Sequence, residues 1–346
     1  MHSLFAASFV VFILSTVAPL CQCLPSKKDE EKVVKVYLLL GQSNMVGLGK
    51  VPGVNKPGTL EHAVERQQKY GYLTNEKGDW QQQEKVRYTF TKGSGIDEAV
   101  VEHNEWMSVE GHKTIGPEFG IMSELISEND DEDILIIKSC IGGRSLGWDL
   151  LPPGSKSFEH RDEDGKVWVH PGYRGSPKRW ERGTTPRKPR NSWYAGIQYD
   201  GDIARAKDVL ENIGDHYPGA IGYEMAGIFF WQGDADRRSD ALTSQYETNL
   251  AQLIRELQKE FGKCNFCMAS LGQTQLDDTG NDAKILHAEM KVEKYPEFEG
   301  RIATVYTHPL SHGGTSGGHY GGNAETYMDV GQAMGRAMVN LERKKS

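Results

Sequence analysis

The stretch VVKVYLLLGQSNM, residues 33–45, decides the fold. Residues 33–40 are almost wholly β-branched or aliphatic and show no polar alternation, the pattern of a strand covered on both faces. The run ends abruptly at Gly41, and Gln42, Ser43 and Asn44 follow. A serine between two amides at the end of a buried strand reads either as a turn or as a nucleophile held at a sheet edge.

Similar runs recur along the chain. ILIIKS at 134–139 and AGIFFW at 226–231 are two, and 266–271 and 302–306 are expected to be further strands. Helical patterns lie between them, at 119–127, 203–213, 243–261 and 324–341. In the third of these, Leu250, Leu253, Ile254, Leu257 and Phe261 fall at spacings of three and four. Strands alternating with helices predict an α/β fold around a mostly parallel sheet. Residues 50–115 and 152–193 break this rhythm and read as long inserted loops of one domain spanning 33–343. Within the second, Arg174, Lys178, Arg179, Arg182, Arg187, Lys188 and Arg190 stand against Glu181 alone. Such a charge run is usually a solvated loop. The competing reading is a surface for an acidic glycan.

The 346 residues, 38% of them hydrophobic, are enough for a large core. A formal net charge of −8 gives no electrostatic support to a nucleic-acid partner. Residues 4–20 are apolar and too short to span a membrane comfortably, and Lys27, Lys28, Asp29, Glu30 and Glu31 follow. Residues 1–23 therefore read as a secretory signal, with a secreted chain carrying no span after its removal. Of the remaining cysteines, Cys264 and Cys267 form a lone C-x-x-C, too few ligands for a closed zinc site. A local disulfide is expected there, with Cys140 a buried thiol.

In parallel α/β sheets, ligands bind beyond the carboxyl ends of the strands. Four stretches fall at such ends: 41–44, 140–143, 231–234 and the glycine-rich run after Tyr306. A serine hydroxyl needs a base, and a histidine base needs an orienting group. Of 11 histidines, His319 has the best placement, among glycines just ahead of the closing helix. Ester hydrolysis also needs donors aimed at an oxyanion. The N–H groups of Ser43 and Gly143 and the side-chain amide of Gln232 are candidates.

GQSNM at 41–45, GPEFG at 116–120, IGGRS at 141–145, WQGDAD at 231–236 and GHY at 318–320 occur in that order. Together they resemble the carbohydrate acetylesterases of the sialate O-acetylesterase type, including acetylxylan esterases, in the SGNH-hydrolase superfamily. The resemblance runs over about 33–338. It implies a flavodoxin-like three-layer α/β/α sandwich and a serine esterase that removes O-acetyl groups from a carbohydrate. It makes Ser43 the nucleophile, His319 the base, Gly142 or Gly143 the oxyanion glycine and Gln232 a polar oxyanion or substrate contact. Asn44 either steadies the nucleophile loop or touches substrate.

One departure bears on catalysis. Many superfamily members carry Asp three residues before the catalytic histidine, where this chain has Ser316. The orienting group is then Asp234, taken first, or Asp236, or a backbone carbonyl. The missing acid also leaves room for an alternative, a catalytically weak glycan-binding protein on the same fold. No cofactor or metal is expected. Asp234, Asp236 and Asp240 lack the glycine and closing glutamate of a calcium loop. Glu118 is expected to be structural.

Overall fold

The computed structural model describes residues 32–97, 99–128, 131–187 and 191–344. The expected signal at 1–23 lies outside these. Seven strands form the main sheet: β1 (Lys32–Gly41), β2 (Val86–Lys92), β3 (Val100–Trp106), β4 (Ile134–Ser139), β5 (Ala220–Trp231), β6 (Asn265–Ala269) and β7 (Ile302–Val305). Their order is β7-β6-β5-β1-β4-β2-β3. Every neighbouring pair is parallel except β2 with β3, which closes one edge as an antiparallel ribbon.

β1 shows why the sheet needs cover on both faces. Val34, Val36, Leu38 and Leu40 enter a core with α2 (Ile197–Glu211), α3 (Tyr246–Phe261) and α4 (Asn281–Val292). Tyr37 and Leu39 enter the other core, with α1 (Glu118–Glu128) and α5 (Ala324–Arg343). Period-two alternation thus sends successive residues into two different cores. Each fully buried side chain of this size contributes about 1.5–3 kcal/mol. The result is the expected three-layer α/β/α sandwich.

The two presumed loop insertions are richer than expected. Residues 50–115 contain β2 and β3, so part of that segment is sheet rather than loop. β2 (VRYTFTK) was unreadable as a core strand because its buried partners are polar. Arg87 donates to His216 O at 2.9 Å and Asn104 Oδ1 at 2.9 Å, and Thr89 Oγ1 lies 3.3 Å from Asn104 Oδ1. Residues 152–193 carry a small antiparallel sheet of Phe158–Arg161, Val167–His170 and Trp180–Glu181. The helix α4 had no counterpart in the sequence reading.

The expected Cys264–Cys267 disulfide is also corrected. Cys264 belongs to the core on the α2–α4 face and Cys267 to the core on the α1/α5 face. Three residues along an extended chain is an odd offset, so the two thiols point to opposite sides of the sheet. Among the described residues, no helix is long and apolar enough to cross a membrane.

Candidate active site

β1 lies between β4 and β5, so the chain reverses its direction of sheet growth at β1. That is the switch point at which loops part above the strand ends. The loop after β1 carries Ser43, the loop after β4 carries Gly142 and Gly143, and the loop after β5 carries Gln232 to Asp236. The loop after β7 carries His319. A cavity of about 1150 Å³ opens there. Its lining includes Ser43, Gly142, Gly143, Asp234 and His319.

Backbone geometry explains the abrupt end of β1. Gly41 has φ +149°, and a Cβ there would stand 2.3 Å from Trp231 O. Only glycine lets β1 end flush against β5. Gln42 then locks the turn. Its N–H donates to Trp231 O at 3.1 Å, and its Oε1 accepts from Gln232 Nε2 at 3.1 Å and Ala235 N at 3.2 Å. Ser43 starts a helical turn, Ser43–Val46, so its own N–H has no intrahelical acceptor. Gly142 lies against it, with its Cβ position 3.4 Å from Ser43 Cβ. Among the described residues, the N–H groups of Ser43, Gly142 and Gly143 have no backbone acceptor. They are open to a ligand oxygen.

Asn44 turns away from the cavity. It is 1% exposed, with Oδ1 3.5 Å from Tyr327 OH on α5.

Gln232 departs from the sequence expectation. It is 1% exposed and does not line the cavity. Its Nε2 donates toward Gln42 Oε1, Arg144 O at 2.9 Å and Asp236 Oδ2 at 2.7 Å, while its Oε1 accepts from Tyr246 OH at 3.0 Å. Both N–H groups are consumed, so the amide braces the loops and has no donor left for an oxyanion.

The two candidate acids have different jobs. Asp236 is fully buried and accepts from Leu146 N at 2.7 Å and Gly147 N at 2.8 Å, as well as from Gln232. It pins the IGGRSLG loop to the end of β5. Burial pushes its carboxyl up to about 6, against the hydrogen bonds from Gln232, Gly147 and Leu146. Asp236 therefore does not face His319.

Asp234 stands beside the histidine loop. Its Oδ1 accepts from Ser316 Oγ at 2.8 Å and Arg237 Nε at 2.8 Å, and its Oδ2 accepts from Arg238 at 2.6 Å. Burial alone would raise this carboxyl. The hydrogen bonds from Arg237 and Ser316 and the charges of Arg237 and Arg238 hold it below the usual carboxylate range. Asp234 makes no hydrogen bond to His319 and meets its loop through Ser316.

His319 sits in the left-handed region, φ 52° and ψ 38°, within Ser316–Gly322. Two anchors hold this segment. Ser316 is one, with its N–H also donating to Gln273 Oε1 at 3.1 Å. Tyr320 is the other, fully buried against Trp231 at 5.8 Å between ring centroids. Among the described residues, neither the Ser43 hydroxyl nor the His319 ring has a hydrogen-bond partner. Such hydrogen bonds commonly tighten only with substrate bound.

The sequence reading missed one wall of the cavity. Lys178 and Arg179 of the basic insert line it, together with Lys92, Arg238 and His170. Most of the run is solvated, with Arg174 and Arg182 67% and 66% exposed, while Lys178 and Arg179 also border the cavity. Arg179 lies 4.4 Å over the Trp168 ring, which fixes the arm to the small sheet. Aromatic residues interleaved with the basic run were the available signal. His170 is 4% exposed and stacks on Phe158 at 4.7 Å. Burial first, then the charges of Arg179, His160 and Lys178, push its imidazole down to about 4.

Residues 33–161 and 175–340 match the family described as carbohydrate esterase, sialic acid-specific acetylesterase. The chain belongs to this family. It is accordingly a carboxylic ester hydrolase of the carbohydrate acetylesterase group. No curated protein sequence matches it. Among solved structures, NanS is similar at 11% identity, covering 91% of this chain and 99% of the other, with a TM-score of 0.49. A carbohydrate acetylesterase from Xanthomonas citri is similar at 13% identity, covering 88% of this chain and 55% of the other, with a TM-score of 0.49. A protein from Arabidopsis thaliana is similar at 13% identity, covering 89% of this chain and 98% of the other, with a TM-score of 0.47.

Proposed function

We propose that this esterase is exported and removes O-acetyl groups from an acidic, sialate-type sugar by a serine mechanism. The observation that carries it is the shared cavity, in which Ser43, Gly142, Gly143 and His319 face Lys178 and Arg179. Ser43 Oγ attacks the acetyl carbonyl while His319 takes its proton. The N–H groups of Ser43 and of Gly142 or Gly143 receive the oxyanion, since donors aimed at developing charge supply much of such catalysis. His319 returns the proton to the sugar oxygen, and the acetyl group stays on Ser43. Water, deprotonated by His319, then attacks the acetyl carbonyl, the bond to Ser43 Oγ breaks, and His319 returns the proton to Ser43 as acetate leaves. Asp234 serves through Ser316, whose loop holds His319. The apolar run at residues 4–20 supports export.

Four cations line the cavity against the carboxylates of Asp149 and Asp234, which favours a substrate carrying its own carboxylate. The test is acetate release from an acetylated sialate and from a neutral acetylated sugar. Ser43→Ala is expected to abolish both. The double variant K178A/R179A is expected to raise KM for the sialate at least tenfold and leave the neutral sugar nearly unchanged. Wild-type turnover by Ser43→Ala would overturn the nucleophile. Equal losses on both substrates would overturn the carboxylate subsite.

A further inference from the structure

The edge ribbon holds a second cluster of chemistry-bearing groups, which the esterase reaction does not use. His103 and Glu105 are two residues apart on β3 and so share one face of it. The chain then turns, with His112 N–H donating to Val109 O at 3.1 Å, and brings His112 back over them. His103 Nδ1 lies 2.9 Å from Glu105 Oε1, and His112 Nε2 lies 3.2 Å from the same oxygen. The three ligand atoms all fall within 4.8 Å of one another.

We propose that His103, Glu105 and His112 form a divalent-metal site, suited to zinc, on the antiparallel edge of the sheet. Two imidazole nitrogens and one carboxylate are the donor set of many zinc sites with an open fourth position. With bonds of about 2.05 Å, a tetrahedron has ligand–ligand edges of roughly 3.3 Å. The two nitrogen–oxygen separations, 2.9 and 3.2 Å, lie close to this.

The packing sets how the ion enters. The two imidazoles stack at 4.2 Å and 8°, so His103, the more exposed ring, must turn out of the stack before both ring planes meet at one ion. Phe119 meets His112 edge-on at 5.4 Å and holds that ring in place. Finally, the side chains of His103 and Glu105 are 28% and 46% exposed, while His112 is 4% exposed. One side is anchored in apolar packing and the other is open to the waters that complete a coordination sphere. The register between β2 and β3 slips between Phe90/His103 and Thr91/Val101, and such a bulge re-aims the side chain beside it. A bound ion would clamp the exposed edge strand to the turn ahead of α1.

The test uses the full-length chain, stripped with chelator and titrated with Co²⁺ and then Zn²⁺. One Co²⁺ per chain is expected, with visible absorption bands of low-coordinate cobalt that Zn²⁺ displaces, and the Tm rises with one equivalent of Zn²⁺. Glu105→Gln, at a half-exposed position that folding tolerates, is expected to weaken binding at least tenfold. His312→Gln, outside the cluster, is expected to leave it unchanged. The proposal is overturned if wild type binds neither ion below about 0.1 mM, or if Glu105→Gln binds as wild type does. Loss of binding in His312→Gln would overturn it equally.

Discussion

Removing the Ser316 hydroxyl tests how His319 is held. In wild type, Ser316 Oγ donates to Asp234 Oδ1 at 2.8 Å, and the two residues are 1% and 4% exposed. A buried hydrogen bond to a charged acceptor contributes about 1.5–3 kcal/mol. Ser316→Ala deletes the donor and leaves no orphaned donor behind, while Asp234 keeps Arg237 and Arg238. The Ser316 N–H also keeps Gln273, so the fold stays intact and the loss falls on the loop that presents His319. If that whole term appears in the transition state, kcat falls roughly 10- to 150-fold with KM nearly constant. Asp234→Ala removes the same bond from its other end. The double variant is therefore expected to be no slower than Asp234→Ala alone, a coupling of the size of the lost bond. Aryl acetate kinetics on the four proteins, with urea midpoints recorded in parallel, measure the cycle. Wild-type kcat in Ser316→Ala, or losses that multiply in the double variant, would refute an acid that works through Ser316.

Two other predictions concern stability. His170 has an imidazole lowered to about 4 against an unfolded value near 6.5. Above pH 6.5 neither state protonates it, whereas between 6.5 and 4 the unfolded chain takes the proton and the native chain does not. Stability therefore falls on acidification by up to about 3 kcal/mol from this group. Urea unfolding at pH 4 to 8 should show a flatter profile for His170→Asn, and identical slopes would sink the assignment. The second concerns Lys138, which pairs with Glu118 at 2.9 Å, the two being 1% and 2% exposed, and also donates to Met45 O and Val46 O. Lys138→Met strands a buried carboxylate, at a cost of about 3–5 kcal/mol. Adding Glu118→Gln should recover part of this, and a double variant as weak as the single one would contradict the charge argument.

How much of this was legible follows from what each residue touches. The central strands announce themselves because both faces are buried, which forces apolar side chains at most positions of β1 and β4. β2 hides because Arg87 and Thr89 are buried with their hydrogen bonds satisfied by the neighbouring strand and by residue 216, and periodicity cannot see a partner 129 positions away. Ser43 and His319 were readable as the ends of such strands and loops. The cationic wall was not, because whether Lys178 and Arg179 face solvent or cavity depends on where a long insert folds back.

The orienting acid shows the sharper limit. Asp234 and Asp236 are two residues apart, yet the turn at Gly233, φ +120°, and the short helix Asp236–Arg238 aim them at different loops. Asp236 binds backbone N–H groups 89 and 90 positions earlier in the chain. Asp234 binds a hydroxyl 82 positions later. That hydroxyl is Ser316, standing where relatives of the resembled superfamily carry aspartate three residues before the histidine. A carboxylate thus lies 2.8 Å from that side chain although none stands at that point in sequence. It is supplied from the β5 loop, and the two arginines beside it keep it ionised. Reading the motif alone suggested a lost acid and a weakened enzyme. The geometry sets a carboxylate beside Ser316, and the Ser316–Asp234 cycle distinguishes a relocated acid from a lost one.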